Sequence, residues 1–206
     1  MIRSVVFDMG GVLLDFSPDE YIARLGYTGK DAQILKEEVF HTPEWCAMDR
    51  GSLSPEAGAR ALEKRVPRHL QKAVRPLVCS WWEGDLMPLP GMGELLEELK
   101  KKDYSLYLLS NASKDIYKYF DRLPGSDCFD GLLVSADWLL VKPQTEIFEK
   151  LYLQFDLEPG ECIFIDDRPD NVETAMYTGM NAILYRRDIE RLRRELLAYG
   201  VDVSLV

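Results

Sequence analysis

Acidic residues stand at the ends of two apolar runs that lie far apart in this chain. Asp8 follows the run 2–7 and opens into a glycine turn, and Asp166 with Asp167 follows the run 162–165. A carboxylate buried without a partner is costly, so such a residue is usually paired with a cation or used in chemistry. We therefore expect one shared site, in which a divalent cation lies between carboxylates and one carboxylate is free to attack.

Polar groups also follow two other apolar runs. Ser110 and Asn111 come directly after the run 105–109, and Lys142 lies in the loop beyond the run 131–134. In open parallel sheets, ligands bind at the carboxyl ends of the strands. We therefore expect a hydroxyl, an amide and an ammonium at the same rim as the carboxylates.

This set of groups suits phosphoryl transfer. Mg²⁺ prefers oxygen ligands, and one or two carboxylates together with a substrate phosphate satisfy it. A carboxylate can attack phosphorus to form an aspartyl phosphate, which divides one difficult step into two. Donors and cations that face the phosphoryl oxygens supply most of the catalysis. The candidates for this role are Ser110, Asn111, Lys142 and the backbone N–H groups of the Gly10-Gly11 turn.

Short β-rich runs alternate with helical patterns along most of the chain. This alternation predicts an α/β fold with a Rossmann-like, doubly wound parallel sheet. The predicted strands are 3–7, 105–109, 131–134, 162–166 and 182–185. The predicted helices around them are 93–102, 114–120, 146–155, 171–177 and 189–198.

The stretch 16–87 breaks the alternation, because it shows helical pattern and no strand. Its candidate helices are 18–25, 30–40, 54–65 and 67–80. An all-helical insertion after the first strand predicts a small cap formed by 16–87 on a core formed by 1–15 and 88–206. The cap residues Arg50 and Gly51 lie between two of these helices, in a loop that we expect to approach the site.

The composition limits the classes of partner. The formal net charge is −10 and the sequence pI is about 4.8. This acidity argues against nucleic acid or a membrane surface as partner, but it permits a small phosphorylated metabolite. The chain has no apolar run of the length of a signal peptide or a membrane span, and no CxxC pair. We expect a cytoplasmic protein that is a monomer or a weak dimer.

The motifs as a set resemble those of the haloacid dehalogenase-like hydrolases. The resemblance spans nearly the whole chain, and the inserted helices resemble the small cap of the first subclass. The Asp-x-Gly-Gly-Val form is most similar to sugar-1-phosphate phosphatases, such as those acting on α-D-glucose 1-phosphate, and to the N-terminal phosphatase domain of epoxide hydrolases. The four motifs are Phe7–Leu13, Leu109–Asn111, Lys142–Pro143 with Ile147–Phe148, and Phe164–Asp167 with Asn171.

The resemblance implies a metal site built on two strands. Asp8 would be the nucleophile and a Mg²⁺ ligand. The carbonyl group of Gly10 and the carboxylate of Asp166 would be further ligands. Asp167 would support the metal directly or through water, and Asn171 would hold the ligands from behind.

The resemblance also implies a phosphate site beside the metal. Ser110 and Asn111 would hold the phosphate, and the Lys142 ammonium would bridge it to Asp8. The backbone of Gly11 would add a hydrogen bond.

One position departs from the family pattern. Most phosphatases of the superfamily carry a second aspartate two residues after the nucleophile, as general acid and base, and here that position is Gly10. General acid catalysis is typically worth about 10²–10⁴-fold. Asp15 or a water could substitute, the leaving group could need less protonation, or the enzyme could be slow. We favour a leaving group such as an anomeric hydroxyl.

Three functions are therefore weighed. The first is a Mg²⁺-dependent phosphatase for a small phosphomonoester, such as a sugar phosphate. The second is a metal-independent 2-haloacid dehalogenase, which the paired acids after the fourth strand disfavour. The third is a non-catalytic descendant that binds a phosphometabolite or a protein.

Overall fold

The computed structural model describes residues 1–205 and contains a five-stranded parallel sheet. Numbered along the chain, the strands are β1 (Ser4–Phe7), β2 (Ser105–Ser110), β3 (Gly131–Val134), β4 (Cys162–Asp166) and β5 (Asn181–Leu184). Their order across the sheet is β3-β2-β1-β4-β5. The prediction of a doubly wound α/β fold is confirmed.

The register of the central strands brings distant residues to one edge. Phe7, the last residue of β1, pairs with Leu108 of β2 and with Ile165 of β4. The backbone N–H of Asp8 donates to the carbonyl of Ile165 at 2.9 Å. Because β1 and β4 end at the same height, Asp8 and Asp166 are neighbours at the carboxyl end of the sheet.

Ten α-helices occur within residues 1–205. They are α1 (Pro18–Arg24), α2 (Gly29–Leu35), α3 (Pro43–Arg50), α4 (Pro55–Leu62), α5 (Gln71–Cys79), α6 (Met92–Lys101), α7 (Ser135–Trp138), α8 (Thr145–Phe155), α9 (Pro169–Tyr177) and α10 (Ile189–Ala198). A π-helical turn, Lys36–Phe40, follows α2 directly. Within residues 1–205, no helix combines the length and the apolar character needed to cross a bilayer.

Helices cover both faces of the sheet, because successive strand residues point to opposite faces. Val5 and Phe7 of β1 pack in an apolar cluster with residues of α6 and α10. Val6 between them packs in a second cluster with residues of α8 and α9. All four residues of β1 are buried, which explains why this strand reads as a continuous apolar run.

Along the chain, helices α1 to α5 lie between β1 and β2. They form an apolar cluster of their own. Three of them begin at a hydroxyl N-cap followed by proline, which are favourable helix starts; these caps are Ser17, Thr42 and Ser54. The chain enters and leaves the inserted segment side by side. The N–H of Asp15 donates to the carbonyl of Met87 at 2.7 Å, and the N–H of Leu89 donates to that of Leu13 at 2.9 Å.

The structure corrects one predicted helix and adds two helices, α3 and α7, that were not predicted. The predicted helix 114–120 consists of 3₁₀ turns at Lys114–Lys118 and Phe120–Arg122, because the buried residues Ile116, Tyr119 and Leu123 recur at spacings of three and four along i→i+3 bonds. Helix α3 was not predicted at all. Its signal was present in the Thr42 cap followed by Pro43, but its apolar face is short.

Candidate active site

Asp8 lies at the carboxyl end of β1 and is buried. Its Oδ1 accepts a hydrogen bond from the backbone N–H of Met9 at 2.7 Å and lies 2.8 Å from the Nζ of Lys142. Burial raises the pKa of Asp8 to about 7; the Lys142 ammonium opposes this rise and the Asp166 charge adds to it. The carboxylate is thus a destabilised anion that depends on cations for its charged form.

Asp166 is fully buried at the end of β4, and neighbouring groups fix its orientation. Its Oδ2 accepts from Lys142 Nζ at 2.7 Å. The Asn171 side chain on α9 donates to both carboxylate oxygens, at 3.1 and 2.9 Å, and the Arg168 N–H donates to Oδ1 at 2.8 Å. Asn171 therefore holds the Asp166 carboxylate through α9, and its support of a metal site stays a prediction.

Lys142 connects the two buried acids. Its Nζ donates to the carbonyl of Leu109 at 2.9 Å and lies within 2.8 Å of oxygens of both Asp8 and Asp166. Burial lowers the pKa of Lys142, but the two carboxylates outweigh this effect and the net change is upward. The ammonium is therefore kept charged inside the protein, at the meeting point of β1, β2 and β4.

Asn111 and Ser110 both lie at the end of β2. The Asn111 side chain exchanges two hydrogen bonds with the backbone of Lys142, accepting from its N–H at 2.8 Å and donating to its carbonyl at 2.9 Å. Asn111 therefore positions the Lys142 loop, and its contact with a phosphate remains a prediction. Ser110 is buried at the last position of the strand, next to Asn111.

The third acid, Asp167, completes a cluster with Asp8 and Asp166. Each residue offers one carboxylate oxygen, and these oxygens lie within 4.8 Å of one another. Burial and the charge of Asp166 raise the pKa of Asp167. Gly11 has a φ of +78°, and a Cβ there would lie 2.2 Å from an Asp167 oxygen, so only glycine leaves room for this carboxylate.

The residues present fit a hard divalent cation. The donors are carboxylate oxygens, which Mg²⁺ prefers, and Gly10 lies in the turn next to them. Two of the three acids have a raised pKa although Lys142 is adjacent, so one ammonium does not balance their charge. A divalent cation held by Asp8, Asp166 and Asp167 would balance the remaining negative charge.

A fourth acid, Asp49, approaches the cluster from helix α3 and was missed by the sequence-based interpretation. The charge of Asp8 acts on its carboxyl group, and the backbone carbonyl of Asp49 accepts a hydrogen bond from Ser135 Oγ in the core. The loop at Arg50 and Gly51 was expected to approach the site. In the structure Arg50 is the last residue of α3, and the ideal Cβ of Gly51 would touch the backbone of Ala136, so the approach of this segment to the site itself stays a prediction.

Comparisons with known proteins relate this chain to one family of hydrolases and to relatives named as phosphatases. A family profile described as haloacid dehalogenase-like hydrolase matches residues 2–176. A sesquiterpene phosphatase of Aspergillus oryzae is 28% identical over 182 residues, which cover 86% of this chain and 87% of that protein. A D-ribitol-5-phosphate phosphatase of Bacteroides thetaiotaomicron is 26% identical over 191 residues, which cover 87% of this chain and 89% of that protein.

Solved structures share the fold. A predicted hydrolase of this type from Porphyromonas gingivalis has a TM-score of 0.74 at 23% identity, covering 98% of this chain and 100% of that one. An enzyme of Bacteroides thetaiotaomicron in complex with magnesium and inorganic phosphate has a TM-score of 0.69 at 22% identity, covering 93% and 99%. An L-2-haloacid dehalogenase of Xanthobacter autotrophicus has a TM-score of 0.67 at 19% identity, covering 98% and 85%.

Proposed function

Since this chain belongs to the haloacid dehalogenase-like hydrolase family, we propose that it is a Mg²⁺-dependent phosphatase acting on a small phosphomonoester. One observation carries the proposal: Lys142 is buried between Asp8 and Asp166, and Asp167 brings a third carboxylate within 4.8 Å. Relatives named as phosphatases support the same reaction class.

In this proposal Asp8 attacks phosphorus. Its free carboxylate oxygen forms a bond to phosphorus, the ester oxygen departs, and an aspartyl phosphate remains until water hydrolyses it. Lys142 stabilises the negative charge on the phosphoryl oxygens, and the Gly11 turn with Ser110 offers further hydrogen-bond donors. Mg²⁺, when bound by Asp8, Asp166, Asp167 and the Gly10 carbonyl, supplies positive charge against the phosphoryl group.

The inserted segment 16–87 acts in this proposal as a cap on a core formed by 1–15 and 88–206. The paired backbone at Asp15 and Met87 places both connections side by side, as a two-stranded hinge would require. Closure of such a cap excludes bulk water while the aspartyl phosphate exists. The cap also supplies the groups that face the leaving alcohol, and these decide the substrate.

The names of the relatives do not agree on one alcohol, since one acts on a sesquiterpene and the other on ribitol phosphate. A sugar phosphate therefore stands as one member of a panel. We propose to measure phosphate release from sugar phosphates, prenyl phosphates and p-nitrophenyl phosphate, with Mg²⁺ and with a chelator. The same panel includes a 2-chloro acid with halide release as the readout.

The variant Asp8→Asn provides the decisive comparison. We expect kcat/KM to fall by at least ~10³-fold, because an amide is a poor nucleophile and a weaker metal ligand. The control is Asp31→Asn, which removes an exposed carboxylate on α2 that pairs with His69 and is not part of the acid cluster. Turnover that is unaffected by the chelator, or full activity of Asp8→Asn, would reject the proposed function.

A further inference from the structure

Helix α3 is fixed to the core at its last turn. The carbonyl of Asp49 accepts a hydrogen bond from Ser135 Oγ, and this Ser135 hydroxyl oxygen accepts in turn from the N–H of Ala112 at 2.9 Å. Gly51 ends the helix with a φ of +83°, and its ideal Cβ would lie 2.3 Å from the Ala136 carbonyl oxygen. The backbone of α3 therefore lies directly on the core, beside the end of β3.

This docking brings the Asp49 carboxyl group within electrostatic range of Asp8. The charges that act on it include that of Asp8, and it acts in turn on the hydroxyl of Tyr119. Trp45, one turn earlier on α3, has the opposite effect on the pKa of this carboxyl group and lowers it. Within residues 1–205 no lysine or arginine forms an ion pair with Asp49, whereas Asp8 and Asp166 both pair with Lys142.

The surroundings favour the protonated form of this group. Burial, followed by the charge of Asp8, raises the pKa of Asp49, and only Trp45 opposes the rise. Tyr119, the other titratable group facing Asp49, is itself buried among aromatic rings. Burial raises the pKa of Tyr119 still further above neutral pH, so its hydroxyl group is a poor proton donor. Burial and the charge of Asp8 thus shift the pKa of Asp49 in the direction that a proton donor requires.

The proposed reaction requires a group that donates a proton to the leaving alcohol. An alkyl alcohol leaves poorly as an alkoxide, so its oxygen must be protonated as the bond to phosphorus breaks. Gly10, in the turn after Asp8, has no side chain to do so. The three clustered acids are occupied with each other, with Lys142 and with the expected cation.

We propose that Asp49, supplied by the inserted helices, is the general acid that protonates the leaving alcohol; this inference rests on the proposed phosphatase function. As Asp8 bonds to phosphorus, the P–O ester bond breaks and its electron pair takes the proton of Asp49. The products are the free alcohol, the aspartyl phosphate and the Asp49 carboxylate. That carboxylate then accepts a proton from the water that attacks phosphorus, which releases inorganic phosphate and restores Asp8.

The test compares leaving groups in Asp49→Asn. The asparagine keeps the size and hydrogen bonds of the side chain but cannot transfer a proton. We expect kcat/KM to fall by about 10²–10⁴-fold for an alkyl phosphate and by less than about 5-fold for p-nitrophenyl phosphate, whose leaving anion needs no proton. kcat/KM includes only the steps up to departure of the alcohol, so the later attack of water does not mask the difference.

Glu44→Gln is the matched control, because Glu44 lies on the same helix but pairs with Arg65 at the surface. Its two kcat/KM values should remain at the wild-type level. Equal losses on both substrates in a folded Asp49→Asn protein, or no loss on either, would overturn the inference. If Asp49→Asn fails to fold, the smaller Asp49→Ser is judged by the same ratio.

The two proposals fail in different ways. If wild-type protein hydrolyses no phosphate ester of the panel, the phosphatase function and the role of Asp49 are both rejected. If wild-type protein is active and Asp8→Asn is not, while Asp49→Asn shows no dependence on the leaving group, the function stands and only Asp49 is excluded.

Discussion

At the scale of residues, the site contains more acidic groups than the adjacent Lys142 ammonium can balance. Lys142 is within 2.8 Å of two carboxylates, and Asp167 stands beside them. An ammonium in such a place is held by its partners and cannot leave without exposing them as unpaired buried charges. The remaining negative charge makes the cluster a place for a second cation.

Gly11 is the residue that makes room for Asp167, and its replacement gives a direct prediction. In Gly11→Ala the new Cβ would lie 2.2 Å from the Asp167 oxygen, so the carboxylate must move. Disturbing a residue that supports a metal site typically costs about 10–100-fold in metal affinity, and we expect the Mg²⁺ concentration for half-maximal activity to rise by that factor. Activity titrated with Mg²⁺ measures the change.

Gly26→Ala controls for backbone strain. Gly26 has a similar φ of +81° but nothing lies within 4 Å of its ideal Cβ. Both variants should lose about 1 kcal/mol of stability from the left-handed conformation. If Gly26→Ala shifted the Mg²⁺ requirement equally, the shift would come from strain and the role of Gly11 would be wrong.

At the scale of elements, helices are tied to one another as well as to the sheet. Arg193 of α10 is buried and binds Glu98 of α6, and Glu98 also accepts from the N–H of Ser204 at 2.6 Å. Although burial raises the pKa of Glu98, the hydrogen bonds from Arg193 and Ser204 lower it overall from 4.5 to about 2. The C-terminal segment is thereby joined to α6.

The lowered pKa of Glu98 predicts how stability depends on pH. A carboxyl group with a lowered folded pKa stabilises the protein above its unfolded pKa, and this stabilisation is lost as pH falls from 4.5 towards 2. We expect Glu98→Gln to lower the free energy of unfolding by roughly 2 kcal/mol at neutral pH. Urea unfolding of both proteins should show the difference shrinking across that pH window.

Glu97→Gln is the neighbouring control, since Glu97 is exposed and its ion pair is with the surface residue Lys101 at 3.4 Å. It should change stability by less than about 0.5 kcal/mol at any pH. A Glu98→Gln difference that persists at low pH would mean that packing, not charge, holds α6 to the C-terminal segment.

At the scale of the whole molecule, a net charge of −10 and an acid cluster at the centre both favour cation binding. A metal at this cluster would join the ends of β1 and β4, which come from opposite ends of the chain. Binding to the folded state alone stabilises it in proportion to the logarithm of the ligand concentration.

Mg²⁺ should therefore raise the melting temperature. At a concentration of about 100 times Kd the gain is about 2.7 kcal/mol. For a chain of this size it corresponds to roughly 5–10 °C. Thermal melts with Mg²⁺, with a chelator, and with NaCl at equal ionic strength measure it. In Asp167→Asn most of the increase should be lost; an equal increase from NaCl would indicate screening alone.

Much of this protein could be read from local patterns. Four apolar runs, each followed by a polar residue, were sufficient to predict the parallel sheet. They also predicted one rim that carries Asp8, Ser110, Asn111, Lys142, Asp166 and Asp167. The structure joins Lys142 to Asp8 and Asp166 and brings Asp167 beside them, while a shared role for Ser110 stays a prediction. This inference works because residues at the ends of parallel strands converge whatever the loops between them do. The glycines after Asp8 likewise pointed to a tight turn.

Other features were decided only when the elements packed. The phosphate contact of Asn111 stays a prediction, but no pattern indicated that its side chain would also hold the backbone of Lys142, 31 residues away. Asp49 carries no local signal of function, since an acid near the end of a short helix is usually solvated. Its approach to Asp8 depends on the docking of α3 at Ser135 and Ala136, a contact across 86 residues that no spacing in the sequence encodes.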